Sequence, residues 1–225
     1  KNIGSIGPIQ DYNNLNKDFS ADFVCAKSCY GYEDVKKYLE FSAIRSECCL
    51  IKKTFLNSVG GWGFFKSAGG EEFDLGHRII KKGKINYLTK NTSYSTYWDN
   101  IITRCKKVVL RTSNYLPIFF SRKKFETSGS FATLPQAMSA FFTLMILFCL
   151  IFFNYLEESK KIILILFLLN MSIEINFLRF ALKYFKKLNI LLYIVGIFLI
   201  NISIIIGFLQ GIVNITKISF QKKMK

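Results

Sequence analysis

The sequence predicts an α/β region followed by an α-helical membrane region. Three observations carry that expectation. Short strand, helix and glycine-turn signals alternate through residues 1–97. From residue 137 onward the chain is largely apolar. Between them, residues 81–125 hold eleven Lys and Arg against one acid, Asp99, whereas the acids cluster in the first 75 residues. A chain that is 51% hydrophobic with a net charge of +16 resembles a membrane protein with basic cytoplasmic loops. Soluble nucleic-acid binders are basic but rarely so apolar, so no nucleic-acid partner is expected. The expected divisions are an α/β region (1–97), a basic amphipathic interfacial segment (98–133), membrane helices (134–216) and a basic tail (217–225).

The elements follow in order. Residues 1–30 are mixed and polar, with Ile3–Ile6 reading as a strand that runs into a turn at Gly7-Pro8, and with a further turn signal at Asn13-Asn14. Residues 33–41 start acidic and become apolar, a short-helix pattern. Residues 47–51 suggest a buried strand. Residues 52–59 form a helix that a glycine pair, Gly60-Gly61, closes before Trp62. The segment 84–88 is a short strand.

Residues 98–113 place Ile101, Ile102, Cys105, Val108 and Val109 at spacings of three and four, with Arg104, Lys106, Lys107 and Arg111 between. This is the pattern of a helix on an anionic membrane surface, the alternative being a core-packed helix with one solvated face. Residues 134–156, 162–182 and 188–213 are apolar runs separated by charged breaks, giving two or three spans. The middle run carries Asn170, Glu174, Asn176 and Arg179, residues that should face protein or water. The positive-inside rule puts residues 81–125 in the cytoplasm. Three spans would leave the tail lysines outside, in conflict with the same rule. Gly207 and Gly211 form a G-x-x-x-G, a candidate close-packing face.

Six scattered cysteines without a C-x-x-C, and one histidine, His77, argue against zinc and suit reduced thiols. Four Asn-x-Ser/Thr matches, at Asn91, Asn170, Asn201 and Asn214, are taken as chance in an Asn-rich chain.

The chemistry-bearing stretch is Gly69-Gly70-Glu71-Glu72-Phe73-Asp74, leading into His77-Arg78 and closing at Lys81-Lys82-Gly83. It puts three carboxylates in the first turn of a short helix, where unpaired N–H groups and a partial positive charge favour them. Asp74 and Arg78 at i and i+4 suit a bracing ion pair. An acid held in this way can act as a general base, although a capped surface helix fits the pattern equally.

The order helix, Gly-Gly-aromatic, loop, G-E-E-x-D-L-x-x-R, x-x-x-x-G, strand resembles the second half of the catalytic domain of family 2 glycosyltransferases, over roughly residues 1–120. That family usually reads G-E-D-x-D-L-x-x-R-L-x-x-x-G. The resemblance implies the second half of a GT-A fold. It also implies an inverting enzyme, anchored by its C-terminal helices and facing the cytoplasm. Such an enzyme takes a nucleotide-sugar donor and a lipid-linked or membrane-proximal glycan acceptor.

By that resemblance Glu72 is the base and Glu71 the flanking acid. Gly60, Gly61, Trp62 and Gly70 belong to the acceptor pocket, while Asp74 and Arg78 support the helix. Mn²⁺ or Mg²⁺ is expected in the full-length enzyme. Departures matter. Glu72 stands where Asp is usual. No D-x-D holds a metal, so no metal ligand is assigned in this chain. The family's nucleotide-binding half would precede Lys1, so the chain is expected to be an N-terminally truncated fragment, inactive alone. No Q-x-x-R-W is present, which favours single-sugar transfer. The histidine many relatives have on the strand after the acidic helix is replaced by Tyr94–Trp98. The competing expectations are a catalytically inactive membrane scaffold in a glycan-assembly complex and a basic membrane anchor unrelated to sugar transfer.

Overall fold

The computed structural model describes residues 2–16, 18–32, 38–63, 69–126, 131–153, 158–185 and 190–223. A small mixed sheet is followed by helices, the last three long and apolar, as an α/β region with a helical membrane part requires. Strand β1 (Ile3–Asn14) pairs in parallel with β4 (Ile85–Thr96), and both are longer than the sequence suggests. Pro8 lies inside β1 rather than ending it. The pairing skips from Pro8–Thr89 to Ile9–Ser93 just there, because proline has no N–H to give to a ladder. Two short antiparallel strands flank the pair, β2 (Tyr38–Glu40) on β4 and β3 (Leu50–Ile51) on β1.

Two local expectations are corrected. Residues 38–40 are strand, not helix; the acidic start of that segment, 33–37, lies outside the described residues. The strand expected over 47–51 is only two residues long, and Leu50 is exposed. The helix at 52–59 is present as α2 (Lys53–Ser58).

Helix α1 (Phe19–Cys29) is the element the polar look of residues 1–30 conceals. Asp18 caps it by accepting from the Ser20 N–H. Apolar residues surround it on every side, so it shows no amphipathic stripe. The reason is its position: it is packed between β1 and the membrane helices α6 (Ser159–Tyr184) and α7 (Ile190–Lys223). Phe23, Val24 and Cys25 join Phe177, Phe180, Tyr193 and Ile197 in the largest apolar core. Lys27 of α1 reaches Glu174 of α6 at 2.5 Å, which provides the protein partner that an acid in an apolar helix requires. All six cysteines are free.

Three helices are long and apolar enough to cross a membrane: α5 (Leu134–Ile151), α6, and α7 over Ile190–Thr216. Four buried polar side chains join them. Ser139 donates to Asn170 at 2.8 Å, Asn170 to Thr143 at 2.9 Å, and Asn201 to both Ser139 and Thr143 at 2.8 and 2.9 Å. Inside an apolar bundle such a clasp satisfies each polar group and fixes the rotation of all three helices.

Helix α4 (Ile101–Arg122), capped by Asn100 accepting from Thr103, runs alongside α7 in the same direction. The two approach closely because α7 offers glycine. A Cβ on Gly207 would stand 2.6 Å from the Val109 carbonyl oxygen, and one on Gly211 would stand 2.8 Å from Leu116. The G-x-x-x-G face is therefore occupied, and by α4. Gly196 continues the stripe, pressed against the Phe23 ring of α1. The stripe of α4 expected to face lipid is thus largely covered by α7, although Ile102, Leu110 and Phe120 remain exposed.

Candidate functional site

Helix α3 (Glu71–Lys81) follows Gly69 and Gly70, both at positive φ (107° and 127°), a backbone that glycine adopts without strain. The Glu71 carboxylate folds back to accept from the Gly69 N–H at 2.6 Å. Gly69 also has a steric duty: a Cβ there would meet Arg111 of α4 at 2.5 Å. The glycine thus lets α4 lay Arg111 directly over the helix start.

Glu72, only 6% exposed, pairs with the Arg111 guanidinium. Burial pushes the Glu72 carboxyl above its ordinary range; Arg111 opposes this and Glu71 adds to it. The same burial lowers Arg104 to about 10, with Arg111 as a further cause.

Glu72 lines a small, partly open cavity of about 70 Å³ together with Gln10, Arg45, Glu47, Trp98, Arg104 and Arg111. Those residues, Arg45 excepted, also line an outer cleft of about 400 Å³ that adds Glu71, Tyr94 and Lys107. Arg45 stacks over Tyr32 at 4.7 Å and donates to Gln10 at 3.3 Å. Its Nε and Nη2, and Nε1 of Trp98, are buried without a hydrogen-bond partner. Buried donors are ordinarily satisfied. Three guanidinium groups and an indole N–H around one small cavity form a donor set for an acceptor-rich anion such as a phosphate.

The Asp74–Arg78 pair lies as its spacing predicts, at 2.8 and 3.0 Å, and Arg78 also donates to the Val59 carbonyl. This contact ties α3 to the Gly60-Gly61 turn, whose glycines have φ of 83° and 65°. The turn does not reach the cavity. Gly60, Gly61 and Trp62 do not line it, Trp62 is 45% exposed, and the contact to α3 is made at Arg78, toward its far end. Gly60, Gly61 and Trp62 therefore stand apart from Glu72 and the cavity it lines. Gly70 shapes the helix start and does not itself line the cavity.

No protein-family model, curated protein or solved structure matches this chain. The site therefore rests on its own geometry.

Several of its residues escaped the sequence reading. Arg45 stands in a segment without periodicity. Arg104 and Arg111 read as the basic face of a helix lying on an anionic membrane surface. Glu126 had no motif at all, yet it is fully buried and accepts from Tyr115 and from Arg122 at 2.7 Å, with His77 3.2 Å away. Burial alone would raise its carboxyl; His77 and Tyr115 hold it down at about 2. Among the described residues no three His, Cys, Asp or Glu side chains are grouped to hold a metal ion. The cavity wall carries both signs, Glu47 and Glu72 beside Arg45, Arg104 and Arg111.

Proposed function

We propose that this chain carries the acceptor half of an inverting, non-processive sugar-transfer site. It would move a sugar from a nucleotide-sugar donor to a lipid-linked or membrane-proximal acceptor. The sequence resemblance to family 2 glycosyltransferases, and with it the second half of a GT-A fold, motivates the class. The observation that carries the reading is the buried Glu72 carboxylate, at the first turn of α3, on the wall of a cavity lined by Arg45, Arg104 and Arg111.

In this reading Glu72 takes the proton of the acceptor hydroxyl as its oxygen bonds to the anomeric carbon. The bond from that carbon to the donor phosphate breaks, and the nucleoside diphosphate leaves with its electron pair. The guanidinium groups offset the negative charge of phosphate in a site with little water. A carboxylate whose pKa is raised by burial is a stronger base than one in water. The basic stretch 81–125 supports a site facing the cytoplasm.

One observation favours a second reading, an inactive membrane scaffold: the supposed base is already engaged by Arg111. The test is transfer or hydrolysis of a UDP- or GDP-sugar by the full-length protein, with Glu72→Gln beside it. The first reading expects turnover to vanish while donor binding persists. Full activity in Glu72→Gln would remove the base assignment, and a full-length wild type that binds donor without turnover would establish the scaffold.

A further inference from the structure

Helix α7 is long and apolar enough to cross a bilayer over Ile190–Thr216, yet the α/β region and α4 take one of its faces along most of that length. Gly196 lies against Phe23 of α1, and the Leu199 carbonyl accepts from the Cys105 thiol at 3.7 Å. Further along, Gly207 faces the Val109 backbone and Asn214 donates to Ser113 at 3.1 Å. From Gly196 to Asn214 is about 27 Å of helix, against about 30 Å for the hydrocarbon of a bilayer. Over the same distance α4 carries Arg104, Lys106, Lys107 and Arg111, and both lysines are exposed. Were α7 to stand across the membrane, those cations, and the Glu72 carboxylate paired with Arg111, would lie at the depth of the hydrocarbon. Charged side chains are costly there.

The opposite face of α7 is an apolar stripe. Leu192, Val195, Leu199, Ile206, Leu209 and Val213, spaced by three, four or seven residues, are each 39% exposed or more. We infer that α7 lies in the plane of one anionic membrane leaflet, with this stripe toward the hydrocarbon and with α4 and the α/β region on its aqueous side. The helix can be apolar all round and still lie flat, because protein rather than water covers its other face. Helices α5 and α6 then enter the membrane and return as a pair. Residues 81–125 hold eleven Lys and Arg against one acid, and the tail adds Lys217, Lys222, Lys223 and Lys225. Both basic stretches come to lie on one side, against the anionic head groups, as the positive-inside rule asks and three spans forbid. Sugar transfer is not needed for this placement.

The test attaches a nitroxide label to an added cysteine, Val195→Cys, Ile206→Cys or Val213→Cys, in the full chain in vesicles of phosphatidylcholine and phosphatidylglycerol. All three positions are exposed, so the label replaces no packing. Depth is read from relaxation by oxygen against a water-soluble nickel complex, and the unsubstituted chain supplies the background of the native thiols. The three labels should share one depth to within about 5 Å, whereas a spanning helix would put Ile206 about 10 Å deeper than the other two. Ile206 deeper by that much would overturn the inference. A second measurement uses a chain with one protease site before Lys1 and another after Lys225, digested to completion in sealed vesicles. Each molecule should be cut at both sites or at neither. Molecules cut at one site only would overturn the inference as well.

Discussion

Arg111 of α4 donates to the carboxylate of Glu72 at the first turn of α3, so the charge state of the candidate base is set from a neighbouring helix. Arg111 pulls the Glu72 pKa down while burial and Glu71 push it up. Replacing Arg111 by Met should therefore raise it further. The acid limb of a kcat/KM profile, expected above the ordinary 4.5 in the wild type, should move to higher pH in Arg111→Met. An unmoved limb would mean another group titrates.

Glu126 makes the opposite contribution. Its folded carboxyl is held at about 2 against an ordinary 4.5. A depressed folded pKa adds stability that is complete above 4.5 and disappears as pH falls toward 2. Unfolding in detergent should show a loss of about 3 kcal/mol across that interval in the wild type, and a flatter profile in Glu126→Gln. Parallel profiles would contradict the assignment.

The approach of α4 to α7 depends on Gly207. A methyl there meets the Val109 backbone, which has nowhere to go, whereas one at Gly196 meets only the Phe23 ring. Gly207→Ala should cost about 1–3 kcal/mol and Gly196→Ala less. Thermal midpoints of the two variants check the order.

Asn170 and Asn201 belong to one clasp. Replacing each with Leu should destabilise the bundle by about 0.6–1.7 kcal/mol, and the double variant should lose less than the sum. Strict additivity would mean that the two side chains do not cooperate.

What the sequence disclosed and what it hid follow a physical rule. Helix α3 was legible because its glycines, acids and terminal lysines are local signals. The three apolar helices were legible because their length and composition are sufficient. Helix α1 was hidden because a helix buried on all sides has no stripe to count. Tyr38–Glu40 was misread because a three-residue edge strand is decided by its partner β4, not by its own residues. The cavity itself was invisible: Arg45, Arg104 and Arg111 converge only through the packing of α4 on α3 and α7, contacts that no local pattern encodes.

The glycine stripe of α7 has a temporal consequence. Arg104 and Arg111 ride on α4, and α4 is seated against residues 199–214 of the last helix. A nascent chain therefore makes the acidic helix and the arginines long before it makes the surface that brings them together. The cavity can close only once α7 has been made and has docked on α4. A chain stopped after residue 185 would keep Glu72, Arg45, Arg104 and Arg111 yet lack the seat that gathers them.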